Sequence, residues 1–140
     1  MENANRISIL SVFALLVVGM TFFVHAKDDT PPIDSSLGVT FQSGYQGDAK
    51  AQYQIGMHYL NGVDSGSAYL EQNSEQARAW LSQSAHNGYA DAQLQLGLLY
   101  ASGTGGEQDA SMAVSWIGKA ADQNHPQALD LLHWMSQSAH

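Results

Sequence analysis

From Asp48 onward the apolar residues recur at helical spacing. Ala51, Ile55 and Tyr59 fall at i, i+4 and i+8, which is one face of a helix. The pattern predicts a helix over 48–60, with Asp48 as N-cap or first-turn acid and Asn61-Gly62 as its stop. A loop over 63–73 follows. A second helix is expected over 74–86, facing inward through Ala77, Trp80, Leu81 and Ala85 and closed by Asn87-Gly88. A third is expected over 90–101, stopped by Ser102-Gly103. A fourth, over 109–122, turns Ala113, Trp116, Ile117, Ala120 and Ala121 inward. Pro126 suits the first turn of a last helix, which holds Leu129, Leu132, His133 and Trp134. These elements are helical throughout, so the fold class expected is all-α.

The pattern also repeats. Ala51-Gln52-Tyr53-Gln54-Ile55-Gly56-Met57-His58-Tyr59 returns as Ala92-Gln93-Leu94-Gln95-Leu96-Gly97-Leu98-Leu99-Tyr100, and Trp80-Leu81 returns as Trp116-Ile117. The first pair is offset by 41 residues (51 to 92) and the second by 36 (80 to 116). The extra five residues fall in the 63–73 loop, where lengthening costs little; the insertion is read as a surface extension or as part of a binding face. A period of this length built from helices is the mark of a solenoid. Gly56 and Gly97 sit mid-helix at the same place in each copy. Glycine there costs about 1 kcal/mol against Ala, so close helix approach is expected at both.

Before the repeats the chain is different. Ile7 to Val24 is uncharged and apolar, Arg6 precedes it, and Val24-His25-Ala26 ends in small residues. This is the layout of a secretory signal peptide over 1–26, cleaved after Ala26, or of a retained N-terminal anchor. In both cases the remainder is expected to leave the cytoplasm, giving a periplasmic protein, tethered to the inner membrane if the segment stays. Residues 27–46, with Pro31-Pro32 and Ser35-Ser36, are expected to be a linker, and 47–140 the repeat domain.

Charge narrows the function. The formal net charge is −8, and past Ala26 only Lys27, Lys50, Arg78 and Lys119 are cationic. A nucleic-acid partner needs a basic footprint, so that class is excluded. With no cysteine, thiol catalysis and zinc–thiolate sites are excluded too.

The recurring residues resemble a known pattern: A-x-x-x-[LI]-G-x-x-Y-x-x-G, a variable loop, then A-x-x-W-[LI]-x-x-[SA]-A. They are Ala51, Ile55, Gly56, Tyr59, Gly62, Ala77, Trp80, Leu81 and Ala85, and again Ala92, Leu96, Gly97, Tyr100, Gly103, Ala113, Trp116, Ile117 and Ala121. Over about residues 47–128 the chain resembles Sel1-like repeats, relatives of the tetratricopeptide repeat. The resemblance implies an α/α solenoid of about two and a half repeats, with a terminal capping helix where His133 replaces the expected glycine. It also implies a scaffold for protein–protein interaction. In bacterial envelopes such proteins resemble assembly factors, secretion-system partners and, in some cases, immunity proteins that block a toxin.

No catalytic or phosphate-binding signature is present, and no two histidines share a helix at i, i+3 or i, i+4, so no enzyme activity, cofactor or metal is expected. A cell-wall hydrolase is the alternative of another class, and it lacks a nucleophile constellation. Ala51, Ile55, Gly56, Tyr59, Trp80, Ala92, Leu96, Gly97, Tyr100 and Trp116 are expected to be structural core. Tetratricopeptide-like superhelices line their concave groove with the first helix of each pair. The resemblance therefore implies a partner-binding row of Gln54, His58, Gln95, Leu99 and Met135. The competing reading packs Leu99 and Met135 against the neighbouring repeat.

Overall fold

The computed structural model describes residues 36–64 and 69–138. Six helices and one short strand pair occupy them: α1 (Ser36–Tyr45), α2 (Ala49–Asn61), β1 (Val63–Asp64), β2 (Tyr69–Leu70), α3 (Ser74–His86), α4 (Ala90–Ser102), α5 (Ala110–Asp122) and α6 (Pro126–Ser138). Each helix packs chiefly on its neighbours in sequence, as a solenoid requires. The expected segment 1–26 and the linker part 27–35 lie outside the described residues. Among the described residues no helix is long and apolar enough to cross a membrane.

Helices α2, α4 and α6 are the first members of successive pairs, and α1, α3 and α5 are second members. Local chemistry starts them. The Asp48 carboxylate accepts from the Ala51 amide at 2.6 Å. Asn73 caps α3 by accepting from the Gln76 amide at 3.0 Å. Asp109 caps α5, accepting from Ser111 and Met112. Each second helix ends in a turn with positive φ at one residue: Gly47 at 94°, Gly88 at 87° and Asn124 at 61°.

Two expectations are corrected here. Residues 36–45, read as linker, are helical. Their sequence has weak helix propensity, but Leu37, Phe41 and Gly44 fall on one face and are buried against α2 and α3. Phe41 meets the rings of Tyr59 and Trp80 edge-on, at 6.0 Å in each case. Burial of that face outweighs propensity, and α1 is thus the second helix of a preceding pair. The loop 63–73 contains an antiparallel pair, Val63 with Leu70 and Asp64 with Tyr69.

The core forms three clusters along the axis. Leu37, Phe41, Ile55 and Trp80 make the first. Leu81, Ala85, Ala92, Leu96, Leu99 and Trp116 make the central one. Leu94, Ile117, Ala120, Ala121 and Ala128 make the third. Ala51, Gly56 and Gly97 are also buried, while Tyr59 and Tyr100 are half-buried at the edge. A Cβ on Gly56 would lie 2.6 Å from Leu81 Cγ, and one on Gly97 2.7 Å from Ile117 Cγ1. Both glycines therefore let paired helices touch.

Candidate functional site

Polar side chains fix the register of the repeats and so the shape of any surface built on them. Gln52 and Gln93 are buried at equivalent positions of α2 and α4. Gln52 Nε2 donates to the Gly44 carbonyl and Gln93 Nε2 to the Ala85 carbonyl, both at 3.1 Å. Each glutamine oxygen accepts from the turn that closes the next second helix. Asn87 Nδ2 reaches Gln52 Oε1 at 2.8 Å, and Gln123 Nε2 reaches Gln93 Oε1 at 2.7 Å. The result is a ladder of two rungs, joining α1 to the α2–α3 pair and that pair to α4–α5, and it satisfies amides that would otherwise be costly to bury. Aromatic rings repeat likewise. Tyr45 meets Trp80 at 5.1 Å, and His86, its equivalent 41 residues on, meets Trp116 at 4.9 Å.

A third cluster joins α2, α4 and the turn before α6. Tyr53 and Tyr89 have ring centroids 5.3 Å apart. Asp91 accepts from His125 Nε2 at 2.9 Å and from the Tyr89 hydroxyl. Those hydrogen bonds, the His125 contact foremost, hold the Asp91 carboxyl below its ordinary value. Burial, then the Asp91 charge, raises the Tyr53 hydroxyl.

The candidate row on the first helices is only partly brought together. Gln54 is exposed on α2. His58 is half-buried, and burial lowers its imidazole below the usual value. Met135 is half-buried on α6. Gln95 and Leu99 do converge, in an open pocket of about 550 Å³ whose other walls are Leu60, Leu98, Ala101, Ser102 and Thr104. Gln54, His58 and Met135 are not among its walls. Leu99 forms the floor of the pocket but is 3% exposed and belongs to the central cluster, as the reading that packs it against the neighbouring repeat expects. The physical reason is that α4 lies between α3 and α5, so its buried face is wider than one stripe.

Sequence reasoning missed Leu60, Leu98 and Ala101. Helix α4 carries Leu94, Leu96, Leu98 and Leu99 in succession, and with apolar residues all round periodicity cannot pick the outward one. Leu98 is that residue, 39% exposed. The pocket sits at the last turns of α2 and α4. Both turns are tied to the loops that follow. Gln72 Nε2 donates to the Leu60 carbonyl at 2.8 Å and Gln108 Nε2 to the Ala101 carbonyl at 2.7 Å. Arg78 packs against the loop after α4, donating to the Glu107 carbonyl at 3.0 Å with its guanidinium 4.0 Å from the Tyr100 ring centre. The arrangement offers apolar contact and carbonyl dipoles. Among the described residues no three of His, Asp and Glu are grouped to hold a metal.

Known proteins share this organisation. A family model described as Sel1 repeat matches residues 49–89 and 90–125. Solved structures match as well. A Sel1 repeat protein from Oxalobacter formigenes is 36% identical, with a TM-score of 0.62, covering 69% of this chain and 26% of its own. The protein c5321, described as a protective antigen present in uropathogenic Escherichia coli strains and displaying an SLR fold, is 34% identical, with a TM-score of 0.67, over 76% of this chain and 22% of its own. The chain thus spans about a quarter of the length of these solved relatives. Among curated proteins none matches it.

Proposed function

Taking as premise that this chain belongs to the Sel1 repeat family, whose repeats are protein–protein interaction modules, we propose that it is a non-enzymatic binding module of the bacterial cell envelope. Its role there is to scaffold or regulate an envelope or secretion assembly. The observation that carries the reading is the open apolar pocket between the first helices of the two repeats, lined by Leu60, Leu98 and Leu99. Apolar surface left open on a rigid scaffold is what a macromolecular partner covers. The envelope location rests on the layout of residues 1–26. The description of one solved relative as a protective antigen is compatible with it.

The test is capture from native envelope extract with the full-length chain carrying a C-terminal tag, beside a Gln54→Ala, Gln95→Ala double variant. One dominant protein, lost with the double variant, is the expected outcome. A partner found only in the cytoplasmic fraction would remove the envelope role. A partner indifferent to the double variant would move the interface off the first helices.

A further inference from the structure

The pocket has a charge setting as well as a shape. It lies at the C-terminal turns of α2 and α4, where each helix presents the negative end of its macrodipole. A Lys or Arg commonly sits in such a turn. Helix α4 has no basic residue in its last turn, and α2 has only His58, which burial favours in the neutral form. The terminal carbonyls are met instead by the neutral amides of Gln72 and Gln108. The two loops that carry these glutamines add Glu71 and Glu107, each the immediate neighbour of a capping glutamine. The cation that comes to this edge, Arg78, is half-buried, with one guanidinium nitrogen bonded to the Glu107 carbonyl and its plane over Tyr100. Across residues 36–138 nine acids stand against three bases. Lys119, one of those bases, lies over the Trp116 ring at 3.8 Å.

We propose that the partner segment seated in this pocket is basic and amphipathic. One bulky apolar side chain fills the space between Leu60, Leu98 and Leu99, and a Lys or Arg beside it in sequence lies over the C-terminal carbonyls of α2 and α4. This rests on the binding role proposed above and names its chemistry. The apolar anchor supplies the burial. The flanking base supplies the selectivity, because an acidic or neutral flank gains nothing from the field of two helix ends whose carbonyls are met by neutral amides.

A random library of peptides about twelve residues long, selected on the full-length chain, reads the preference without assuming a partner. The expected consensus places Lys or Arg within two positions of Leu, Phe or Trp. A selected peptide is then measured against two variants, each first checked by circular dichroism for a parent-like fold. Leu98→Glu removes the anchor contact. Ala101→Arg adds a cation to the last turn of α4, where it suits the helix dipole, so the fold is kept while a basic peptide is repelled. Binding should weaken about tenfold or more in each, and should fall as salt is raised. A consensus without a base, no consensus, or equal binding by the Ala101→Arg variant overturns the proposal. If extract capture still finds an envelope partner in that case, the binding role stands and only this chemistry falls.

Discussion

Single residues decide how the helices are joined. Asn124 holds φ at 61° where the equivalent turn has Gly88 at 87°. Left-handed backbone costs an ordinary L-residue about 1 kcal/mol or more, and Asn less because its side chain can bond locally. Asn124→Ala should therefore lower stability by about 1 kcal/mol, while Asn124→Gly should stay within roughly 0.5 kcal/mol of the parent. Urea denaturation separates the two. Asp91 gives a pH signature. Its carboxyl lies below the ordinary 3.8 in the folded state, first through His125 and also through the Tyr89 hydroxyl. A depressed carboxyl stabilises fully above its unfolded value, and that contribution is lost as pH falls through the folded one. The side chain is 47% exposed, so screening limits the effect to about 0.5 kcal/mol. Melting temperatures followed from pH 6 down to pH 3 should fall more for the parent than for Asp91→Asn. Parallel curves would remove the linkage.

At the level of elements, most helices were legible because caps and stops are local chemistry. Asp48, Asn87-Gly88 and Pro126 mark ends that no distant contact has to create. Helix α1 was harder to read: Leu37, Phe41 and Tyr45 do fall at i, i+4 and i+8, but the Ser, Gly and Thr between them are weak helix formers, and the burial that offsets this comes from the distant Trp80. The pocket was half legible for a related reason. Gln95 could be placed by register, but the outward position of Leu98 depends on where α3 and α5 flank α4. The glutamine ladder escaped notice because a repeated Gln inside a helix reads as solvent-facing until its partners 8 and 30 residues away are placed. Two tests follow. Gly97→Ala gains intrinsic helix propensity, but its Cβ would press on Ile117 at 2.7 Å and on the Ala113 carbonyl at 3.0 Å. A net loss of about 1–3 kcal/mol is expected in urea denaturation, and a gain would refute the close approach. Gln93→Leu keeps volume but removes one hydrogen bond from the Ala85 carbonyl, which keeps the Gly88 amide, and one from the Gln123 amide, which keeps the Gly88 carbonyl, so a loss of about 1–2 kcal/mol should appear, with amide exchange quickened at the α3–α4 junction.

For the whole molecule, stability is a sum over few neighbouring interfaces, so one large loss travels far. Trp116 is 4% exposed in the central cluster, with His86 at one side and Lys119 over its ring. Trp116→Ala should cost about 3–5 kcal/mol and abolish the cooperative thermal transition. A sharp transition near the parent temperature would mean that the outer clusters hold the fold by themselves. The last two described helices differ from the middle of the array. Val114 is 43% exposed, while its counterparts Arg78 and Leu37 lie against Tyr100 and in the Tyr59 cluster. The tyrosine position that a further unit would turn toward Val114 is Ser136 in α6. His133 stands in α6 where Gly56 and Gly97 admit a partner helix, and Leu129 stands where Gln52 and Gln93 tie one pair to the next. Duplication in the gene therefore has a permitted and a forbidden address. A copy of one unit inserted at the Asn87-Gly88 turn would find both a glycine to nest against and a glutamine to bond. The same copy appended behind Ser138 would meet an imidazole and an aliphatic chain. Of these two addresses, the chemistry of the described helices favours the internal one.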